Sequence, residues 1–263
     1  MGSATRSARE SARTALTSAK GVTLATGEQL LAAARTIGSS PQLLSALSNP
    51  SSDAAGTSTL IDTVFAELSA PARDLLHGMA ASRWSSGDDL LAGIEEIGIR
   101  AIAASATSSG TIEAELFEFG RAVTSDAELE LAIGSKRGAA AEKLALVTSL
   151  LGRKASAQTI AIAGHLVQQP RGRRIGELVR SAATTVADSA GKGIATVTVA
   201  APLTEAQRKN VAETIASRYG REHVINQVVD PALVGGVRVQ VGDEVTDGSI
   251  AARLTELKLQ LAG

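Results

Sequence analysis

The sequence predicts a mainly α-helical protein in which two tandem helical-bundle repeats precede a small βαββα domain. Aromatic side chains make up only 2% of the 263 residues, and a core of small aliphatic side chains favours close packing of helix against helix. A helical pattern recurs along the chain, and after Gly191 the apolar spacing changes from helical to alternating. These observations divide the chain into residues 1–108, 109–190 and 191–263.

The repeat relates two segments about 86 residues apart. The stretch LLAAARTIGSSPQLLSAL, which starts at Leu30, aligns with LFEFGRAVTSDAELELAI, which starts at Leu116. The alignment continues with SAPARDLL over SAQTIAIA and with SSGDDLLAGI over PRGRRIGELV, where Gly87 falls over Gly172. Two copies of one helical unit explain this pattern best, and chance similarity between alanine-rich helices is the alternative.

Short loops are predicted to divide each copy into about four to six helices, with antiparallel neighbours. The first helix lies near the start of the chain, behind a frayed lead-in. Turn-forming residues then predict breaks at 39–41, 49–56, 69–71 and 85–88. In the second copy, Ser125 or Asp126 is expected to cap the helix that carries Leu129 and Ile133.

The third segment is predicted to alternate strands and helices. IATVTVA is rich in β-branched residues, as in a strand. Thr204 and Gln207 form a capping box for a helix that ends at Gly220. Strands are predicted at 224–229 and 237–241, the second with one buried face.

A last helix is predicted after a turn at Gly242 and Asp243. Asp247 or Ser249 caps this helix. Its apolar stripe is a hypothesis for part of the domain core or for a partner interface, and consists of Ile250, Leu254, Leu257 and Leu261.

Composition excludes several classes of protein. The 26 basic and 27 acidic residues give a formal net charge of -1, so no global field attracts nucleic acid or an anionic membrane. The chain has no cysteine, which excludes disulfides and thiol catalysis. No stretch approaches the ~18 apolar residues of a membrane span. A cytoplasmic setting is the default, and an organellar transit peptide at the arginine-rich start is the alternative.

No motif for catalysis, a cofactor or a metal is complete. Lys192 lies between two glycines, but Val186 stands where a nucleotide loop needs its first glycine. His77, His165 and His223 are far apart in sequence, and each is interpreted as a surface or partly buried side chain rather than a metal ligand. The sequence therefore predicts no catalytic residue and no cofactor.

The stretch VVDPALVGGVRVQVGDEVTDGSI is tested as a ligand loop and fails. A calcium loop starting at Asp243 would place Val245 and Leu254 at ligand positions. Gly235 and Gly236 precede a strand, whereas the glycines of a phosphate cradle open a helix. These glycines are interpreted as allowing a bulge or a tight backbone approach.

The basic turn PRGRR is interpreted as a solvated loop or as the contact for an acidic partner. A nucleic-acid module centred on Arg171, Arg173 and Arg174 is the alternative. The balanced charge and the lack of nearby aromatic residues for base stacking argue against it.

The C-terminal segment closely resembles the delta subunit of bacterial F-type ATP synthases, the counterpart of the mitochondrial oligomycin-sensitivity-conferring protein. ELFEFGRAVTSDAELELAI and VTSLLGRKAS are similar to the helical N-terminal domain of that family, so the resemblance covers about residues 110–263. The motif has an acid, a glycine pair and a D-G-S sequence, here Asp230, Gly235, Gly236, Asp247, Gly248 and Ser249.

The resemblance implies a non-catalytic stator subunit of the peripheral stalk, without a cofactor. It implies that a helical domain binds N-terminal helices of the alpha subunits on the catalytic head, and that the C-terminal domain binds the end of the b-subunit stalk. The expected location is the cytoplasmic face of the plasma membrane, through the complex. The first hundred residues depart from an ordinary delta subunit and are similar to the enlarged actinobacterial form. Which of the two copies binds the catalytic head therefore stays an open question. A nucleotide- or nucleic-acid-binding module is the alternative function.

Overall fold

The structure is a computed structural model that describes residues 2–49, 53–135, 138–233 and 235–248. The predicted mainly helical class with a small sheet domain is confirmed. The chain divides into two compact units, Met1–Val186 and Ala187–Gly263. The predicted last helix, with Ser249 and the stripe of Ile250, Leu254, Leu257 and Leu261, lies outside the described residues. The division into three segments stays a prediction.

The first unit is helical throughout its described elements. None of the helices in the described ranges is both long and apolar enough to cross a bilayer. The helices are α1 (Ser3–Ser18), α2 (Leu24–Ser39), α3 (Pro41–Ser48), α4 (Ala54–Val64), α5 (Ala70–Ala81), α6 (Gly87–Ala104), α7 (Ser109–Ser125), α8 (Ala127–Gly134), α9 (Ala140–Leu151), α10 (Ala157–Gln168) and α11 (Ile175–Ser189), the last of which continues into the second unit.

The helix lengths follow the sequence repeat. Helices α2 to α5 have 16, 8, 11 and 12 residues, and helices α7 to α10 have 17, 8, 12 and 12. We call α1–α6 the first copy and α7–α11 the second copy. The two copies differ at one aligned pair, because Gly87 begins α6 whereas Gly172 lies in the loop before α11, with φ 76°.

The same side-chain contact holds one helix start in each copy. In the first copy, the backbone N–H and hydroxyl of Ser69 donate to Oε1 of Gln29, at 3.0 and 2.7 Å. In the second copy, the N–H and hydroxyl of Ser156 donate to Oε2 of Glu115, at 2.9 and 2.7 Å. Helix α2 thus holds the start of α5 as α7 holds the start of α10, which is a three-dimensional counterpart of the sequence repeat.

Helix α6 belongs to both copies. It contacts α1, α2, α3 and α5 on one side and α7 and α10 on the other. Thirteen of its residues are buried, including Glu95, Glu96 and Arg100, whereas a surface helix would keep a polar face in water. The repeat offset places α1 over residues 89–104, so α6 ends the first copy and also stands where the second copy needs its first helix.

Glycines allow α2 to approach α6 closely. A Cβ atom on Gly27 would lie 2.6 Å from the carbonyl oxygen of Gly98 and 2.5 Å from Cγ1 of Ile102. No larger residue fits there without moving a backbone, and close approach is a common reason for glycine inside a helix. Two alanine-rich helices therefore pack backbone to backbone at the centre of the unit.

The second unit contains a four-stranded mixed sheet. Its described elements are β1 (Gly193–Val199), α12 (Glu205–Tyr219), β2 (His223–Val229), β3 (Val237–Val241) and β4 (Glu244–Asp247). The strand order is β2-β1-β3-β4, with β1 and β2 parallel and the other pairs antiparallel. Alternate side chains of β1 pack against α12, in a core formed by Ala195, Val197, Val199, Ile215 and Ile225.

Most local predictions for this unit are confirmed. Thr204 and Gln207 form the reciprocal capping box, and Gly220 ends α12 in the left-handed conformation, with φ 69°. Strand β4 was not predicted, since the sequence indicated only a turn followed by a helix cap. Val241 pairs with Glu244 across the two-residue turn of Gly242 and Asp243, and the positive φ of Gly242, 59°, is typical of a tight hairpin.

Candidate functional site

The first half of the family motif forms a turn between β2 and β3. The N–H of Asp230 donates to the carbonyl of Val199 at 2.9 Å, and its carboxylate accepts from the N–H of Ala232 at 2.9 Å. Gly235 and Gly236 have φ values of 67° and 81°, a region that other residues rarely enter. The carboxylate and both glycines are thus engaged in turning the chain into β3.

The second half of the motif holds the edge hairpin. The guanidinium of Arg238 donates to Oδ2 of Asp247 at 3.1 Å, and the N–H of Gly248 donates to the carbonyl of Val237 at 2.9 Å. A Cβ atom on Gly248 would lie 3.1 Å from that carbonyl oxygen. The described motif residues therefore meet around the start of β3, at Val237 and Arg238. Ser249 and the proposed interface residues Leu254, Leu257 and Leu261 lie outside the described residues.

Two adjacent carboxylates on α6 form the main electrostatic feature of the helical unit. Successive helical residues point about 100° apart, so Glu95 and Glu96 face different neighbours. Glu96 faces α1, where it meets Arg13 at 2.6 Å and Arg9 at 3.6 Å, and it also accepts from Nε of Arg100 at 2.9 Å. This acid ties the first and last helices of the first copy.

Glu95 faces the second copy. Its Oε1 lies 3.2 Å from Nε2 of His165 on α10, and its Oε2 contacts Arg171 and Arg173, the latter at 3.3 Å. Arg35 on α2 lies 2.9 Å from Nδ1 of the same histidine. We call these five residues the junction cluster. It connects α2 and α6 with α10 and the loop that precedes α11.

The geometry of the junction cluster fixes the protonation of its histidine. Arginine only donates hydrogen bonds, so Nδ1 of His165 accepts and the neutral ring carries its proton on Nε2, which donates to Glu95. Burial lowers the pKa of His165, and this outweighs the opposing effect of Glu95. For Glu95, burial would raise the pKa, but the hydrogen bond from His165 and the charges of Arg171 and Arg173 bring it below its ordinary value.

The junction cluster resolves two sequence interpretations. The acidic contact of the PRGRR turn lies within the chain, since Arg171 and Arg173 both pair with Glu95. Two of the three arginines proposed for nucleic acid are therefore partly neutralised. The interpretation of His165 as a surface or partly buried side chain is wrong, because only 1% of it is exposed.

Sequence reasoning missed the acid and the histidine of this cluster. A signal was present in GIEEIGIRAIAA, where two acids and one arginine interrupt an otherwise apolar stretch of helix. Carboxylates in such a helix are buried with it, and buried charges need partners. The partners of Glu95 lie 70 or more residues away in sequence, so the local pattern could indicate that this acid needs a partner but not where the partner lies.

An open groove lies on the second copy. We call it the α8 groove, and its volume is ≈ 370 Å³. Leu131, on α8, is 73% exposed and stands at its edge. Its lining residues are Ala127, Glu130, Leu131, Gly134, Ser135, Gly172, Arg173, Arg174 and Ile175.

Comparison with known proteins places the chain in one family. The sequence model described as "ATP synthase delta (OSCP) subunit" matches residues 99–261. The ATP synthase subunit delta of Leifsonia xyli subsp. xyli is 51% identical over 264 residues, covering 100% of both chains. That of Streptomyces avermitilis is 38% identical over 82% of this chain and 81% of its own length. That of Kineococcus radiotolerans is 36% identical over 90% and 88%.

The regions matched by the family model and by the relatives differ in whether they include helices α1–α5. The family model begins at residue 99, inside α6, whereas the Leifsonia relative aligns along the whole chain, including the first copy. The resemblance predicted from the C-terminal motif is thus confirmed. The chain belongs to the ATP synthase delta (OSCP) subunit family.

Proposed function

We propose that this chain is a non-catalytic subunit of the peripheral stalk of an F-type ATP synthase, where it links the catalytic head to the b-subunit stalk. The observation that carries this proposal is the 51% identity to an ATP synthase subunit delta over the full length of both proteins. Such a stator holds the head still while the rotor turns, so that rotor torque drives ATP synthesis.

The partners follow from this role. The helical unit binds amphipathic N-terminal helices of the alpha subunits, and the sheet unit binds the C-terminal end of the b subunit. A helical body receives a partner helix through apolar positions spaced at i, i+3, i+4 and i+7. The division into two compact units supports two separate binding tasks, because each unit has its own core and its own surface.

The contacts within the helical unit suit a protein that must resist the torque of the rotor. Glu95 connects the two copies through its contacts with His165 and Arg171, and Glu96 pairs with Arg13 of α1. Removing one partner of a buried pair is strongly destabilising. Resistance to torque requires persistent contacts rather than a pocket with reactive groups. The chain is peripheral and reaches the cytoplasmic face of the plasma membrane only through the assembled complex.

The test is reconstitution of an enzyme that lacks this subunit. Inverted membrane vesicles stripped of delta should hydrolyse ATP without pumping protons, and added chain should restore pumping, measured by quenching of a pH-sensitive dye. The purified chain alone should hydrolyse no ATP.

Isothermal titration with two peptides assigns the contacts. One peptide copies the N-terminus of the alpha subunit and the other copies the C-terminus of the b subunit. Both should bind the full chain at the same time, and a scrambled version of each peptide serves as control. Failure to restore pumping, together with no binding of either peptide, would overturn the proposal.

A further inference from the structure

The junction cluster carries more positive than negative charge. Three of its five members are arginines, its histidine is neutral, and Glu95 is its one acid. Arg171 and Arg173 share the carboxylate of Glu95, whereas Arg35 pairs with no acid in the described part of the chain. Its one described hydrogen bond goes to the ring of His165, at 2.9 Å. Arg35 therefore lacks the counter-charge that the other two arginines have.

Arg35 is half-buried, and removing an unpaired charge from water is costly. Burial lowers the pKa of its guanidinium, which reflects the same cost. Arginine has five N–H donors and no acceptor, so one contact with a ring nitrogen leaves further N–H groups available to a ligand. An oxyanion beside Arg35 would supply both a negative charge and hydrogen-bond acceptors.

Arg35 lines an open groove between α2, α9 and α10, which we call the α2–α10 groove. Its volume is ≈ 350 Å³, at the small end of the range for ligand pockets. Its apolar lining includes Leu31 on α2, Leu144 on α9 and Ile160 on α10. A Cβ atom on Gly164 would lie 2.7 Å from Cδ1 of Leu144, so the glycine leaves room for this leucine against α10. The groove thus combines an apolar surface with one unpaired cation.

The groove also has a negative end. Glu28 is exposed and lines it, seven residues before Arg35. The two side chains lie on the same face of α2, about 10 Å apart along the helix axis. A ligand carboxylate is therefore repelled from the end at Glu28 and attracted to the end at Arg35.

We propose that the α2–α10 groove binds a small carboxylic acid with a short apolar chain, as its carboxylate anion. The carboxylate pairs with the planar guanidinium of Arg35, a geometry that allows two parallel hydrogen bonds, and the chain lies against Leu144 and Ile160. An inorganic anion would leave the apolar lining in water, and an uncharged apolar molecule would leave Arg35 without a counter-charge. This site goes beyond the proposed stator function and does not depend on it.

Isothermal titration of the full chain with sodium hexanoate tests the site. Acetate has the charge without the chain and hexanol has the chain without the charge, so each should bind at least about tenfold more weakly than hexanoate. Arg35→Gln should weaken hexanoate binding about tenfold, the order expected from loss of a charge-assisted hydrogen bond. Arg73→Gln is the matched control, because Arg73 is also a half-buried arginine but already faces Asp62, and it should leave binding unchanged.

A second variant tests the apolar part of the groove. Leu144 is 36% exposed, so Leu144→Ser should leave the fold intact, as a thermal melt would verify. It should weaken the binding of hexanoate and leave that of acetate unchanged. This variant decides the matter if Arg35→Gln proves unstable through loss of its contact with His165.

Three results would overturn the assignment. The first is hexanoate binding no tighter than acetate or hexanol. The second is equal hexanoate binding by the unchanged chain and by a folded Arg35→Gln, or by Leu144→Ser. The third is Arg35-dependent binding of inorganic phosphate in place of hexanoate. None of them bears on restoration of proton pumping, so the site and the stator function fail separately.

Discussion

At the scale of single residues, two neighbouring acids determine how α6 is held to the helices around it. Glu95 and Glu96 differ by one step along α6, yet one pairs with α10 and the other with α1. Because a helix turns by about 100° at each residue, adjacent side chains of a buried helix can contact different neighbours. The junction thus depends on local helical geometry as well as on charge.

Acid should weaken the junction. The pKa of His165 is lowered from 6.5, so below about pH 6.5 this histidine binds a proton in the unfolded chain but not in the folded chain. The free energy of unfolding therefore falls as the pH drops below about 6.5. The slope should reach up to about 1.4 kcal/mol per pH unit for this one proton. The lowered pKa of Glu95 acts in the same direction at lower pH, because its stabilising contribution is lost as pH falls through the folded value.

Urea unfolding at pH 7 and pH 5.5 checks this prediction. His165→Gln should lower the free energy of unfolding at pH 7 by about 1–3 kcal/mol, since it disturbs a buried hydrogen-bonded group, and should reduce the change between the two pH values. His77→Gln is the control, because His77 forms an exposed pair with Asp62, and such pairs contribute little. Equal pH dependence in the unchanged chain and in His165→Gln would contradict the role assigned to this histidine.

At the scale of elements, the sequence predicted what local chemistry decides. The break predicted at residues 39–41 lies where Ser40 caps α3 with Pro41 in its first turn. Asp126, one of the two residues predicted to cap α8, does so. Strand β4 was missed because it has only four residues, of which two are acids, and its pairing with the open edge of β3 makes it a strand. The junction cluster was missed for a similar reason, since its members come together only when α6, α10 and α2 pack.

The repeated helix-cap contact offers a prediction at this scale. Glu115→Ala should lower the free energy of unfolding by about 1–2 kcal/mol, because the N–H and hydroxyl of Ser156 lose their acceptor. Glu115→Gln introduces the residue type of Gln29 in the first copy and should retain most of the stability. Urea unfolding of the two variants distinguishes them, and equal losses would show that the repeated contact is not what stabilises α10.

At the scale of the whole chain, the sharing of α6 determines how the protein can be shortened. The boundary predicted at residue 108 lies beyond α6, so a chain starting at 109 lacks a helix that packs on α7 and α10. A chain starting at 87 keeps that helix but uncovers the face that α1 and α2 occupied. Truncation therefore exposes apolar surface in either case, on different elements.

We expect residues 87–263 to melt at a higher temperature than residues 109–263, and the shorter chain to aggregate more readily. The reason is that α6 covers α10 and supplies Glu95 to His165, Arg171 and Arg173. Circular dichroism melts and size-exclusion chromatography measure both effects. Equal melting temperatures would mean that the second copy needs no first helix.

Because α6 ends the first copy and stands at the start of the second, this chain carries two helical copies that are not joined by a flexible linker. Domains joined by a loop can turn about it, and relative motion is their ordinary behaviour. Here α6, about 27 Å long, packs against both copies. A rotation of one copy against the other must therefore pull apart either the contacts of Glu95 with the second copy or those of Glu96 with α1. The first copy therefore adds no flexible connection between the copies that could absorb the torque of the rotor.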